Sequence, residues 1–297
     1  MITIDKSKLD VIEKDLIYEH LSDLYSTRAP PPNRGLGYIS RASALPISVG
    51  TIFELQVEQS VSLFNDSNNN NGSTTGWLTW SISPLMVEWL LECEPNNPFY
   101  NKFEKSTVVE LGSGISGLLG CTLALKCSKF ICTDQAPLLK LLKRNIFNNV
   151  SNIGSTTIIE LNNHDDKKKP LGKLNKIKKT KQDIPMVEVV EYDWEETYND
   201  EILRLLDNDY PDFLITCDTV YNPYLIPHLV NAMDNLSNRA THVIVGLQLR
   251  EESLLQTFLE EATEKFEVYS VNDDILSDEL RQGYGVYYLT KKGNDPA

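Results

Sequence analysis

The stretch that decides the fold is Val108-Val109-Glu110-Leu111-Gly112-Ser113-Gly114-Ile115-Ser116-Gly117-Leu118-Leu119-Gly120. It starts as an apolar strand, passes three glycines in G-x-G-x-x-G order and enters a second apolar segment over 118–125. Glycines at this spacing allow a tight turn, a close approach of the backbone to a ligand, and close packing of a helix on a strand. The spacing predicts a strand–turn–helix unit for a nucleotide-like cofactor, but several cofactors share it.

The carboxylate of Glu110, two positions before the first glycine, narrows that choice. A dinucleotide presents a diphosphate to this turn, and a carboxylate would repel it. S-adenosylmethionine (SAM) has no phosphate and carries a sulfonium and an α-ammonium group. Glu110 therefore favours SAM over a nicotinamide dinucleotide and indicates a methyltransferase.

Length and composition indicate a globular enzyme-sized chain. The 297 residues, 41% hydrophobic, suffice for one large or two small domains. The sequence has no apolar run near the ~20 residues of a membrane span, and its first residues do not resemble a signal peptide. The five cysteines and four histidines are scattered without metal-ligand spacing. We therefore expect no metal site, and reduced thiols in a cytoplasmic or nuclear protein.

The net charge of −14 is unevenly distributed along the chain. Residues 165–181 contain eight lysines and two aspartates, so this segment alone has a net charge of +6. The acidic remainder disfavours broad nucleic-acid binding and suits a basic partner. Residues 151–183 lack periodicity, which predicts a disordered, lysine-rich insert, and a solvated insert is favoured over an RNA contact.

The first 72 residues are interpreted as an extension before the catalytic domain. Apolar residues at helical spacing predict a helix over 1–28, and residues 46–64 have the composition of strands. Residues 65–72 form an Asn/Ser/Gly tract typical of a flexible loop. The predicted division is therefore an extension at 1–72 and a catalytic domain at 73–297.

Strand-like and helix-like segments alternate around and after the glycine turn. Besides the strand at 108–111, strands are predicted at 129–133, 186–190, 211–217, 241–249, 266–271 and 285–290, and helices at 84–91, 136–149, 225–236 and 251–265. Such alternation predicts a parallel sheet with helices on both faces, and the closing strand pair predicts one antiparallel strand. The predicted fold class is α/β, with a Rossmann-like seven-stranded mixed sheet.

Acidic and aromatic residues follow several predicted strands at their carboxyl ends. Asp134 ends the second strand 17 residues after Gly117, near the ~20 expected for an acid that binds ribose hydroxyls, although a helix cap is the alternative. Trp194 follows the third strand and Asp218 the fourth. Ligands of such sheets bind at the edge formed by these ends. We therefore expect the three side chains to converge, with Trp80 either in the core or at the pocket wall.

With these motifs, the chain resembles the class I (seven-β-strand) SAM-dependent protein-lysine methyltransferases. More narrowly, it resembles the methyltransferase-like twenty-one superfamily and, within it, the fungal ribosomal lysine N-methyltransferases. The matching residues fall in pieces across 73–290 and include Trp80, Glu110 to Gly117, Thr133-Asp134, Asn145, Asp193-Trp194 and Asp218-Thr219-Val220-Tyr221.

The resemblance implies a cofactor side and an acceptor side of one site. The implied SAM-binding residues are Trp80, Glu110, Gly112, Ser113, Gly114, Asp134, Trp194 and Cys217. Asp218 and Tyr221 would face the acceptor as catalytic residues. The implied substrate is a protein, a large-subunit ribosomal protein of the L-one stalk type, monomethylated on one lysine. We also expect a monomeric enzyme, and the lack of a long apolar run predicts no membrane association.

Two other functions stay open at this point. A methyltransferase for nucleic acids or small molecules is one, although the Asn/Asp-Pro-Pro-Tyr motif of many amino methyltransferases is absent and the order here is Asp-x-x-Tyr-Asn-Pro. A SAM-binding chaperone without catalytic activity is the other. The intact acids Glu110, Asp134 and Asp218 argue against a decayed site, and a turnover measurement decides between these functions.

Overall fold

The computed structural model describes residues 2–28, 35, 37–38, 42, 44–50, 53–59, 76–91, 95, 97–162, 186–196, 200–207 and 209–293, with 151–162 described by their backbone. Helices within these ranges all lack the combination of length and apolar character that a bilayer span requires.

Strands and helices are numbered in chain order. The strands are β1 (Leu9–Ile12), β2 (Gly37–Tyr38), β3 (Leu45–Val49), β4 (Phe53–Val57), β5 (Thr79–Trp80), β6 (Thr107–Leu111), β7 (Lys129–Asp134), β8 (Val187–Glu191), β9 (Phe213–Cys217), β10 (His242–Gln248), β11 (Phe266–Val271) and β12 (Tyr284–Lys291). The helices are α1 (Ile17–Thr27), α2 (Ile82–Leu91), α3 (Leu118–Thr122), α4 (Ala136–Asn162), α5 (Asp200–Leu205), α6 (Ile226–Asn235) and α7 (Glu252–Lys265).

The central sheet has the order β1-β11-β12-β10-β9-β6-β7-β8. Strands β6 to β10 are mutually parallel, and β12 lies antiparallel between β10 and β11. This confirms the predicted mixed sheet, and all seven predicted strands are present within two residues of their expected bounds. The sheet has an eighth strand that was not predicted, because β1 pairs antiparallel with β11 at its edge. The glycine turn leaves β6 beside both β9 and β7, so the predicted site residues lie on adjacent strands.

Helices cover both faces of the sheet because its strands are apolar on both sides. Alternate residues of one strand enter opposite cores: Val108 packs with the residues of α2 to α4, and Val109 packs with those of α1 and α5 to α7. In β10, Ile244 enters the first core and Val243 enters the second. Both faces of the sheet are therefore covered, and its carboxyl edge is left for ligands.

The helix predicted over 1–28 is wrong in its first half. Leu9 and Ile12 are spaced as on a helix, but they form the two buried ends of β1, which pairs antiparallel with β11 in the register Leu9↔Val271. Helix α1 begins only at Ile17. The unpaired edge of β11 explains the difference, because its backbone groups gain partners when the first residues extend along it.

The hairpin β3–β4 occupies the first part of the segment predicted as strands over 46–64 and begins one residue before it. Its inward residues Ile47 and Leu55 are buried in the same core as α2. The later part of that segment, and the Asn/Ser/Gly tract at 65–72, lie outside the described residues, and the boundary at residue 72 stays a prediction.

Helix α4 runs further than the sequence indicates. The pattern predicts an end at Asn149, but the backbone continues as a helix to Asn162, so the predicted insert at 151–183 begins inside a helix. Mixed polar and apolar residues without a clear period conceal this extension. The lysine-rich part at 163–185 lies outside the described residues.

Candidate active site

The backbone of the glycine turn after β6 is exposed to a cavity. Gly112, Gly114 and Gly117 have φ of +75°, +59° and +57°, a region that other residues rarely adopt. A Cβ on Gly112 would lie 2.7 Å from Thr219 Cγ2 and 3.1 Å from Trp194 Cζ2. The turn therefore requires glycine both for its conformation and for the room it leaves.

Glu110 lies in β6 immediately below this turn. It is 2% exposed, and its Oε2 accepts a hydrogen bond of 2.8 Å from Ser113 Oγ. Burial raises the pKa of Glu110 to about 7, while the hydrogen bond from Ser113 acts in the opposite direction. Near neutral pH this carboxyl is therefore poised between its two protonation states, and a nearby positive charge would favour the ionised form.

Asp134 ends β7 on the other side of the turn. Its Oδ2 accepts a hydrogen bond of 2.7 Å from Gly114 N, and its Oδ1 accepts one of 2.8 Å from Gln135 N. Burial raises the pKa of Asp134 to about 6, and the two backbone N–H groups oppose that shift. Asp134 thus braces the glycine turn and lines the cavity with its carboxylate.

Asp218 follows β9 with an unusual backbone and a buried side chain. Its φ is +57°, and its side chain is 1% exposed. Gln248 N donates to its Oδ1 at 3.2 Å, and Arg250 Nη2 donates to its Oδ2 at 2.5 Å. Burial raises the pKa of Asp218 to about 6, although the charge of Arg250 lowers it.

The remaining predicted residues complete the walls. Trp194 stands against Gly112, and Trp80 in β5 lies under the guanidinium of Arg250, 5.0 Å from its ring centroid. Cys217 ends β9, and burial raises the pKa of its thiol, so it stays neutral. Tyr221 is partly buried in the loop between β9 and α6.

One cavity of about 390 Å³ brings together all ten residues predicted for the site. They are Trp80, Glu110, Gly112, Ser113, Gly114, Asp134, Trp194, Cys217, Asp218 and Tyr221. Their convergence follows from parallel strand ends meeting at one edge. Their individual roles stay predictions.

Sequence reasoning missed several residues at this site. Asn222 and Tyr224 line the cavity directly after Tyr221, and their closeness to the Asp-x-x-Tyr motif was the available signal. Arg250 was not assigned a role. It follows a predicted parallel strand, but the sequence does not show that β10 and β9 are neighbours in the sheet or that Arg250 pairs with Asp218.

Comparison with known proteins decides the family. The model of the lysine methyltransferase family matches residues 58–173 and 166–265, which is more than half of the chain. The chain belongs to the lysine methyltransferase family. The predicted family and the predicted enzyme class, a SAM-dependent protein-lysine methyltransferase, are thereby confirmed.

Several curated relatives share one name. Ribosomal lysine N-methyltransferase 5 of Lachancea thermotolerans is 29% identical, and the match covers 96% of this chain and 99% of the relative. The protein of that name from Candida glabrata is 30% identical over 80% of this chain and 77% of its own length. Among solved structures, a putative SAM-dependent methyltransferase from Streptococcus mutans matches with 10% identity and a TM-score of 0.46, covering 86% of this chain and 57% of that chain.

Proposed function

We propose that this lysine methyltransferase monomethylates one lysine of a large-subunit ribosomal protein of the L-one stalk type, with SAM as the methyl donor. The observation that carries the proposal is the position of Asp218, whose buried carboxylate lines the same cavity as the glycine turn. Relatives named ribosomal lysine N-methyltransferase 5 support a ribosomal substrate. Such a substrate is met in the cytoplasm or nucleus, and we expect the enzyme to act as a cytoplasmic monomer.

The described residues fit SAM in size and in charge. The cavity, at about 390 Å³, lies within the range of small-molecule sites. The left-handed glycines expose backbone to the ligand, and Glu110 and Asp134 place two carboxyl groups near it, with no cation of the described residues set against either. When bound, SAM supplies a methyl group activated by its sulfonium. The residues expected to hold it are those of the glycine turn, with Asp134 toward the ribose and Trp194 against the adenine.

The acceptor side must present a neutral amine, because a protonated lysine has no lone pair for the attack. Deprotonation of an unperturbed lysine at pH 7 costs about 4.6 kcal/mol. A fully charged carboxylate next to the amine would increase that cost by favouring the ammonium form. Arg250 offsets the charge of Asp218, so Asp218 is suited to orient the amine through a hydrogen bond without holding its proton. Tyr221 lines the same cavity and is placed to contact the lysine stem.

The test incubates the whole protein with an extract, large ribosomal subunits included, from cells that lack the enzyme. We expect radiolabel from methyl-labelled SAM to enter one subunit protein, and mass spectrometry to locate one methyl group on one lysine. Asp218→Ala should abolish the transfer while calorimetry still detects SAM binding.

Three outcomes would contradict the proposal. Label in RNA would identify a nucleic-acid methyltransferase. Label in a protein outside the large subunit would retain the enzyme class and refute the substrate. SAM binding without label in any macromolecule of the extract would favour the chaperone alternative.

A further inference from the structure

Arg250 connects two walls of the cavity without lining it. It lies two residues beyond the end of β10, and β10 runs parallel to β9 in the register Gly246↔Cys217. Asp218 and Trp80 are among the described residues that line the cavity, and Arg250 is not. Its side chain is 19% exposed and contacts the lining residues Asp218 and Trp80 from outside the cavity.

The first contact of Arg250 fixes the carboxylate of Asp218. The backbone of Asp218 is already held to β10, because its N–H donates to Gly246 O at 2.7 Å. Gln248 N then holds Oδ1, and Arg250 Nη2 holds Oδ2 at 2.5 Å. With both oxygens engaged from β10, the side chain has one orientation, although its left-handed backbone would otherwise be easily rearranged.

The second contact of Arg250 supports the indole of Trp80. The guanidinium carbon lies 5.0 Å from the ring centroid, within the range of a cation–π interaction. Trp80 belongs to the two-residue strand β5, whose partner among the described strands is the equally short β2. So short a ribbon holds its side chains weakly, and the planar guanidinium supplies the support that β5 lacks.

The guanidinium is committed to these two contacts. Within the part of the chain that the structure describes, Arg250 Nε is buried and has no hydrogen-bond partner. A buried N–H without a partner destabilises the folded state. The unpaired N–H belongs to the cation that contacts both the carboxylate of Asp218 and the indole of Trp80. An unsatisfied buried group at such a position is typical of a functional constraint.

We propose that Arg250 is a positioning residue for methyl transfer, which sets the carboxylate of Asp218 and the indole of Trp80 in one arrangement. The acceptor side and the cofactor side of the cavity are thereby aligned by a single cation. This inference rests on the proposed function, because it assigns Asp218 to the acceptor. The charge of Arg250 also favours the ionised form of Asp218. Because the two charges offset each other, the pair has little net charge with which to hold a lysine ammonium.

The test compares Arg250→Met and Arg250→Lys with Arg281→Met, which removes an exposed ion pair with Asp278. We expect Arg250→Met to lower kcat by about 100-fold and to raise the Kd of SAM by about threefold to tenfold. The KM for the protein substrate should change by less than about threefold, because Arg250 is not among the residues that line the cavity. The control should match the wild type in all three quantities.

The pH profile separates positioning from a general loss of structure. The groups that face Asp218 are Arg250 and Gln248 N from β10 and the Cys217 thiol from β9. Removing the cation should move the acid limb of kcat upward by about one pH unit. Arg250→Lys retains a charge, so it should restore the acid limb and part of kcat, but not the affinity for SAM that depends on stacking.

Two further measurements keep the inference separable from the proposed function. Carboxyl NMR of SAM-free protein reports the pKa of Asp218 directly, and calorimetry reports SAM binding, both without a methyl acceptor. If the wild type labels no ribosomal protein, the proposed function fails, and these two readouts still test Arg250. Should Arg250→Met not fold, Arg250→Lys supports the inference by weakened SAM binding with an unshifted acid limb. The inference is overturned if the folded variants retain wild-type kcat and SAM affinity, or if both lose kcat equally with no change in the acid limb or in the pKa of Asp218.

Discussion

At the residue scale, Asp218 combines a left-handed backbone with a side chain that is 1% exposed. Aspartate and asparagine are the non-glycine residues that best tolerate this backbone. Asp218→Asn therefore preserves the shape and the acceptor for Gln248 N, while it removes the charge and the oxygen that accepts from Arg250 Nη2. We expect kcat to fall by about 100-fold with the Kd of SAM nearly unchanged, measured by methyl transfer and calorimetry.

The matched control for this substitution is Asp273→Asn. Asp273 pairs with the buried Arg28 and lies away from the cavity. Turnover of Asp273→Asn should equal that of the wild type. If Asp218→Asn retains full activity, the charge of Asp218 is not needed, and its assignment to the acceptor is wrong.

Glu110 makes the stability of the protein depend on pH in a defined direction. Its pKa is raised from 4.5 to about 7 in the folded state by burial. Between these values the folded chain binds a proton that the unfolded chain does not, so stability increases as pH falls and is lost as pH rises through 7. Glu110→Gln removes this titration and retains an acceptor for Ser113 Oγ.

The measurement is urea denaturation of the SAM-free protein at pH 8 and pH 5.5. Lowering the pH should stabilise the wild type relative to Glu110→Gln by about 2 kcal/mol. Asp134 and Asp218 titrate in both proteins, so the difference isolates Glu110. The exposed Glu104→Gln should show no such difference. Equal pH dependence in wild type and Glu110→Gln would mean that Glu110 is not the titrating group.

At the element scale, the side chains of two asparagines of α4 form hydrogen bonds with backbone groups in β4 and directly after it, as a neighbouring strand would. Asn149 pairs with both backbone groups of Gln56, at 2.9 and 3.0 Å. Asn145 pairs in the same way with Glu58, at 2.9 Å for each bond, and its Nδ2 also donates to Ile115 O at 2.7 Å. The hairpin β3–β4 is thereby fastened to the glycine turn through one side chain.

These two asparagines predict separable effects. Asn145→Ala and Asn149→Ala should each destabilise the fold by about 1–3 kcal/mol, because buried backbone groups lose their partners. Only Asn145→Ala should also weaken SAM binding, since it frees the carbonyl of Ile115 within the turn. Thermal unfolding and calorimetry measure the two effects. Equal SAM affinities for the two variants would refute the link from hairpin to turn.

The contrast between strands and amides shows what the sequence could reveal. Strands β6 to β12 are runs of apolar residues bounded by polar ones, so their pattern identified them directly. The strand role of Leu9 and Ile12 depends on their pairing with Val271 and Val268, at the far end of the sequence. The role of Asn145 depends on the carbonyl of Ile115, which the fold brings next to it. Such roles come from tertiary contacts, and a single sequence carries no local mark of them.

At the scale of the whole molecule, the topology rule for parallel sheets predicted the site well. It placed Gly112, Asp134, Trp194 and Asp218 at one edge, and the cavity joins them. The rule does not extend to ion pairs between strand ends, so the partnership of Asp218 with Arg250 was visible only in three dimensions. The sequence thus located the site, and the structure added how its charges are balanced.

The first residues of the chain close the far end of the sheet. Strand β1 covers the edge of β11, and the side chains of Ile4, Leu9 and Ile12 are buried there. Lys6 adds hydrogen bonds to Glu267 at 3.1 Å and to Tyr269 Oη at 2.8 Å. In the sheet order β1 stands five positions from β6, so this closure is remote from the glycine turn.

Deleting residues 1–13 should therefore reduce stability without altering the site. Each of the three buried side chains contributes about 1.5–3 kcal/mol, which lowers Tm by on the order of 10 °C for a chain of this size. The exposed edge of β11 should also promote self-association, seen by light scattering. SAM affinity, measured well below the new Tm, should stay within about twofold of the wild type because the turn and its bracing acids are untouched. Val11→Ala is the matched control, since Val11 is 55% exposed on β1. If the truncated protein has the same Tm as this control, β1 does not stabilise the sheet.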